Sequence, residues 1–463
     1  MSGERLNFEL DHEIGIGAVT AHGGVAALIE HFRRSGAAGL VDASASYKKR
    51  KRGLSASEMA ESLLALWACG GEPCEDLERL RAGDGLQLLL GHALPAAQTA
   101  RDFLASFDAP ELPLLGGGQS AVREESTGLR GLAAASAAVV ADLQRRRAVK
   151  QATIDLDATV LASSKQAAKW AYDGQRGYQP VLALWAEQDV ILAEEFRDGN
   201  VSASTGNRRV IERALAALPA EVEQVYLRAD SALYEHALMV FLDKRKVGFA
   251  ISVPVSEGLR RRIAGLDETA WRFEREDGEA ARHWAEIDYL PDGALTQKEG
   301  AMRRLRYIAV RISKKQGALF ADGSQVRHFC VVTNRDDPKD GDAGDLLRWH
   351  RGKAGTVEHA HHVLANELAA AALPSQKFGA NAAWFRLNAL LYNLMSAFKR
   401  LALPEELHAI RPKRLRFLVL NTLARLVCHA RERLLRCASA FARRALDRFR
   451  SAIHAPMPPP TPA

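Results

Sequence analysis

Residues 151–161 read Gln-Ala-Thr-Ile-Asp-Leu-Asp-Ala-Thr-Val-Leu, and the reading of this stretch decides the fold. Apolar and polar residues alternate from Ala152 to Asp157. A period of two marks a strand. On such a strand Asp155, Asp157 and Thr159 line one face. Two carboxylates on one face repel each other and lose hydration when partly buried, so a cation or a basic neighbour must offset them.

Working outward, residues 181–185 and 190–194 read as hairpin neighbours of this strand, and 222–229 as another strand ending at Asp230. Further strand candidates are 249–254, 271–275, 284–289, 305–313 and 327–333. No helix of the usual length separates them, which favours a β-rich patch over an alternating doubly wound sheet. Residues 24–34, 55–69, 75–90 and 131–147 place apolar side chains at helical spacing, as do 346–372 and 382–400. The fold class is therefore α/β. A helical region spans 1–147 and a mixed unit spans 148–400, β-rich over about 245–335. A basic helical region over 401–454 and a Pro-rich, disordered tail over 455–463 complete the chain.

The chain has 463 residues, 47% hydrophobic and 26% charged, enough for a packed core. Its net charge of +7 is unevenly spread. Fourteen Lys and Arg face four acids between Lys399 and Arg450, which puts +10 there and leaves −3 elsewhere. This block includes Lys413, Arg414 and Arg416. A second basic run is Lys48, Lys49, Arg50, Lys51 and Arg52. The 48–52 run suits a grip on a phosphate backbone and equally a solvated face, whereas for the C-terminal block nucleic acid is the favoured reading. Five scattered cysteines, with no CxxC pair, fit neither a disulfide scaffold nor a zinc ribbon and point to a reducing compartment. Acids at Glu4, Glu9 and Asp11 argue against a secretory signal, and no long apolar run argues for a membrane span.

Three acidic positions stand out: the Asp155/Asp157 pair, Asp230 at a strand end, and Glu358 near a helix start after Gly355-Thr356-Val357. Hard cations such as Mg²⁺ take carboxylate oxygens, and two of them can activate a water and stabilise the leaving oxygen of a phosphodiester. Spacing alone leaves the alternative open that these are a solvated strand-edge pair, a helix-capping acid and a surface glutamate.

Several strings together resemble bacterial insertion-sequence DDE transposases. They are Ile154-Asp-Leu-Asp-Ala-Thr159, Tyr172-Asp-Gly-Gln-Arg-Gly-Tyr-Gln-Pro180, Leu227-Arg-Ala-Asp-Ser231, Val331-Val-Thr-Asn334, Gly355-Thr-Val-Glu-His359 and Phe378-Gly-Ala-Asn-Ala-Ala-Trp384. The resemblance covers about residues 150–400 and implies an RNase H-like catalytic core with a β-rich insertion before the catalytic glutamate. It implies Asp157, Asp230 and Glu358 as catalytic metal ligands, with Asp155 the rival to Asp157. It implies two Mg²⁺ ions, which Mn²⁺ can replace. It further implies double-stranded DNA partners (transposon ends and target), a homodimeric synaptic complex and a bacterial cytoplasmic, nucleoid-associated location. The family often has a Lys seven residues after the Glu; here that position is Ala365, so Arg351 or Lys353 is the expected phosphate contact. Two other readings stay open: a decayed transposase that only binds DNA, and a metal-dependent nuclease without strand transfer.

Other signals are weaker. Glu358 and His361 make an E-x-x-H step, but no second copy exists to complete a di-iron site. His359, His361 and His362 are expected to face solvent or DNA. Gly15-Ile-Gly17 lacks the third glycine of a dinucleotide fingerprint. Cys69 and Cys74 read as small buried apolar groups.

Overall fold

The 151–158 strand lies inside a sheet of nine strands. The computed structural model describes residues 18–45, 47, 53–116, 121–291, 305–315, 318–336, 342–429 and 432–456. The basic run 48–52 and most of the Pro-rich tail lie outside the described residues. The sheet's strands in chain order are β1 (Gln151–Ala158), β2 (Val181–Trp185), β3 (Val190–Glu195), β4 (Gln224–Ala229), β5 (Gly248–Val253), β6 (Arg272–Asp277), β7 (Ala280–Ile287), β8 (Arg306–Lys314) and β9 (Val326–Thr333). Their spatial order is β6-β7-β8-β9-β5-β4-β1-β2-β3.

Strand β4 runs parallel to β1 and β5, and every other pair is antiparallel. The block β3-β2-β1-β4-β5 is an RNase H-like core. The β-rich stretch does not build a sheet of its own. Strand β9 returns against β5, so β6–β9 extend the core sheet.

Alternation along β1 explains its placement. Ala152, Ile154 and Leu156 join a core with Leu227 and Ala229 of β4 and with Val210, Ile211 and Leu242 from helices 207–217 and 236–244. Burying each large aliphatic side chain contributes roughly 1.5–3 kcal/mol. The odd positions Asp155 and Asp157 point to the opposite face.

That opposite face is covered by helices. Helix α1 (Val25–Arg34), α2 (Ala56–Cys69) and α3 (Thr127–Arg146) come from the N-terminal region. Helices α4 (Ala343–Arg351), α5 (Val357–Glu367), α6 (Phe378–Ala402) and α7 (Ala440–His454) follow the sheet. Helix α6 is buried on nearly all sides, and Trp67 of α2 meets Trp384 of α6 edge-on at 4.6 Å. Asn393 of α6 zips onto β3, its amide taking Ile191 N–H at 2.7 Å and giving to Ile191 C=O at 2.8 Å.

Two expectations change. The N- and C-terminal regions share one core, in which Val25, Leu28 and Phe32 of α1 pack with Phe449 and Ile453 of α7. Strand Val19–Thr20 also pairs with Ala424–Arg425, and Arg450 reaches Glu30 at 2.8 Å. The basic C-terminal stretch is not helical throughout: Ala424–His429 and Glu432–Cys437 satisfy each other's backbone as a hairpin, and Ala424 and Arg425 pair with the N-terminal strand as well.

Candidate active site

The 346–372 stretch does not form one helix. It breaks between α4 and α5 into a single 3-10 turn, Gly352–Gly355. The break has a physical cause. Arg228 of β4 stands beside Asp155 of β1 in the parallel register and grips both its oxygens at 2.6 Å. The same guanidinium donates to Trp349 C=O at 2.5 Å. A Cβ on Gly352 would come within 2.4 Å of Arg228 Nη1, so the chain can pass here only without a side chain. Thr356 completes the node by donating its hydroxyl to Asp155. Both Asp155 oxygens are thus occupied within the protein, and its side chain is fully buried.

The turn brings two charged side chains toward Asp157. Lys353 turns inward and sets its ammonium 3.1 Å from Asp157 Oδ1 and 3.2 Å from Glu358 Oε1. Its side chain is 11% exposed. Burial alone would lower its pKa, but the Asp157 and Glu358 carboxylates outweigh this and hold it raised. Helix α5 lies against β1 and β2, its Val357, Ala360 and Val363 sharing a core with Leu182 and Leu184 of β2, which brings Glu358 to the end of β1. Asp230 follows β4, where its carboxylate accepts from Ala232 N–H at 3.0 Å.

These acids feel one another. Burial pushes the Asp157 carboxyl above its usual range; the Lys353 charge opposes this, and the charges of Asp230 and Glu358 add to it. Among the described residues, no three His, Cys, Asp or Glu side chains are gathered tightly enough to hold a metal ion. Yet a cationic group already sits between Asp157 and Glu358, so the donor set fits a hard cation: carboxylate oxygens, partly desolvated, with their charge already drawn to a positive centre.

The histidines divide. His361, expected toward solvent or DNA, is buried and meets the Asp157 backbone carbonyl through Nε2 at 3.2 Å. His350 does the same to Ala229 C=O at 3.1 Å, one residue before Asp230. Burial pushes both imidazoles down to about 4, so near neutral pH they are uncharged donors that hold the two strand ends. Neither role shows in the sequence, because the partner is a backbone carbonyl 121 or 204 residues away. His359 lines a cavity of about 330 Å³ with Arg147, Lys399, Arg400 and Arg411. His362 accepts from Arg411 at 2.6 Å.

The other basic candidates take several places. Arg351 pairs with Glu274 on β6 and so ties the insertion to α4. Arg416 is spent on the backbone carbonyls of Ala68, Trp67 and Glu367. Lys413 is exposed, and Arg414 lies 5.2 Å over the Phe417 ring. The Cys69 and Cys330 thiols are pushed up to about 12 by burial, and Cys74 to about 11, so none of these three is a thiolate nucleophile at neutral pH.

The nine-stranded sheet thus carries Asp157 near the end of β1 and Asp230 just after β4, with Glu358 at the start of α5. The family model described as transposase DDE domain group 1 matches residues 9–455. The chain belongs to that family and is a DDE transposase, an enzyme of DNA cleavage and strand transfer. The piggyBac transposase in its synaptic complex with hairpin DNA is a structural relative at 10% identity. The match covers 93% of this chain and 82% of that one, with a TM-score of 0.44. No curated protein matches the sequence. No described helix is long and apolar enough to cross a membrane.

Proposed function

We propose that Asp157, Asp230 and Glu358 are the catalytic triad of an insertion-sequence transposase that acts on terminal inverted repeats. The observation that supports this most is the convergence of the three charges on Asp157, with Lys353 drawn between two of them. Asp155 is excluded from the triad in this reading, because Arg228 and Thr356 already hold its oxygens.

Asp157, Asp230 and Glu358 would hold Mg²⁺ or Mn²⁺, which when bound supplies an activated water and charge neutralisation at the phosphate. The acids orient the cleaved phosphodiester, while neutral His350 and His361 fix the strand ends that carry Asp230 and Asp157. In cleavage, a water oxygen forms a new bond to phosphorus as the bond to the 3′ oxygen breaks, leaving a 3′-hydroxyl. In strand transfer, that hydroxyl attacks a target phosphodiester and the target's own 3′ oxygen departs. The joined N- and C-terminal regions, with the 48–52 run and Lys413 and Arg414, would grip the element ends, two copies of the chain pairing in the synapse.

The test uses a labelled duplex carrying one element end. Asp230→Asn and Glu358→Gln should each lower Mg²⁺-dependent nicking at least about a hundredfold while the protein stays folded. Unchanged nicking by Asp230→Asn would sink the assignment. Pre-cleaved ends that yield no joined product would instead indicate a nuclease without strand transfer.

A further inference from the structure

We propose that Lys353 is a resident counter-cation that occupies the acid site before a divalent ion enters and must be displaced for the ion to bind. This inference rests on the triad assignment above and deepens it. Three observations carry it. The ammonium lies 3.1 Å from Asp157 and 3.2 Å from Glu358, so one positive charge already bridges two of the three acids. Its side chain is only 11% exposed, which makes the bridge a built contact rather than a surface encounter. The turn that carries it is held on both sides: Arg228 donates to Trp349 C=O before it, and the Thr356 hydroxyl after it donates to Asp155. The helix break therefore serves to aim Lys353 inward.

The consequence is a competition. Two like charges on Asp157 and Glu358 need a positive partner, and the protein supplies its own. A divalent ion must replace the ammonium at the same oxygens, and the long flexible stem of Lys353 lets the charge swing out without unfolding the turn. Lys353 thus stabilises the metal-free enzyme and weakens metal affinity through the same contact.

The experiment measures binding of Mn²⁺ alone to the full chain without DNA, by the loss of the free-ion spin-resonance signal. Lys353→Met and Lys353→Gln remove the charge, and Lys353→Arg keeps it. The two charge-loss variants should bind Mn²⁺ at least about tenfold more tightly than wild type, and Lys353→Arg should not. Without metal, the charge-loss variants should also melt at a lower temperature than wild type, with Mn²⁺ abolishing the difference. Equal or weaker Mn²⁺ binding by both charge-loss variants overturns the proposal. Asp157→Asn separates it from the reading it rests on. If Asp157→Asn abolishes binding while Lys353→Met changes nothing, only the role of Lys353 fails. If Asp157→Asn binds as wild type does, the acid site itself is not a metal site.

Discussion

Arg228 and Asp155 stand side by side on adjacent parallel strands and share two hydrogen bonds of 2.6 Å, both side chains buried. This pair, rather than the acids it adjoins, sets the shape of the site. It bends the chain between α4 and α5, and the bend presents Lys353 and Glu358 to Asp157. Two aspartates two residues apart therefore stand differently: Asp155 is clamped into the fold, and Asp157, which meets Lys353, is the one we propose faces the reaction.

The difference is measurable. Asp155→Ala leaves the Arg228 guanidinium buried without its carboxylate, and breaking a buried pair costs about 3–5 kcal/mol. Asp157→Asn removes a carboxylate that burial already disfavours, so it should cost little stability or raise it slightly. Chemical denaturation of both variants checks this. A larger loss for Asp157→Asn than for Asp155→Ala would contradict the division of roles.

Gly352 admits a clean backbone test. Its missing Cβ leaves room for Arg228 Nη1, which the Asp155 clamp prevents from moving aside. Gly352→Ala should destabilise the protein by about 1–3 kcal/mol through overpacking, even though alanine favours helix. A neutral or stabilising effect in thermal unfolding would show that the turn is not shaped by Arg228.

Acid should loosen the site before it unfolds the rest. His350 and His361 have native pKa values pushed down to about 4 from 6.5. The unfolded chain therefore takes up their protons first as pH falls. Their contribution is complete above about 6.5 and is lost progressively toward 4, on the order of 3 kcal/mol for each. His361→Asn should flatten the decline in unfolding free energy between pH 7 and pH 5, read from urea titrations at each pH.

Arg386 of α6 is buried between Glu194 of β3 and Glu125 before α3, with Glu125 Oε1 at 2.9 Å. It joins the N-terminal region to the sheet. Arg386→Met leaves the buried Glu194 without its guanidinium and Glu125 with Arg213 alone, and should cost about 3–5 kcal/mol. Glu125 is held down to about 2, burial being outweighed by Arg386 and Arg213, whereas burial pushes the Glu194 carboxyl up in spite of Arg386. Limited proteolysis of the variant should cut first near residue 125. Cleavage unchanged from wild type would argue against the hub.

Much of this protein was legible in its residues. Alternation at 152–157, and apolar runs at 181–185 and from 249 to 333, place strands close to where they lie, because a strand's pattern is written locally. The positions of Asp157, Asp230 and Glu358 at a strand end or a helix start were likewise local facts. Convergence was not. The helical spacing of 346–372 gives no hint of the break, since its cause is Arg228, more than a hundred residues upstream. For the same reason Lys353 read as a phosphate contact and His361 as a surface residue. Periodicity and motif order determine elements and candidate chemistry. Which carboxylate is clamped, which lysine turns inward and which histidine holds a strand end are decided only when distant segments compete for the same buried charge, a balance set by tertiary packing.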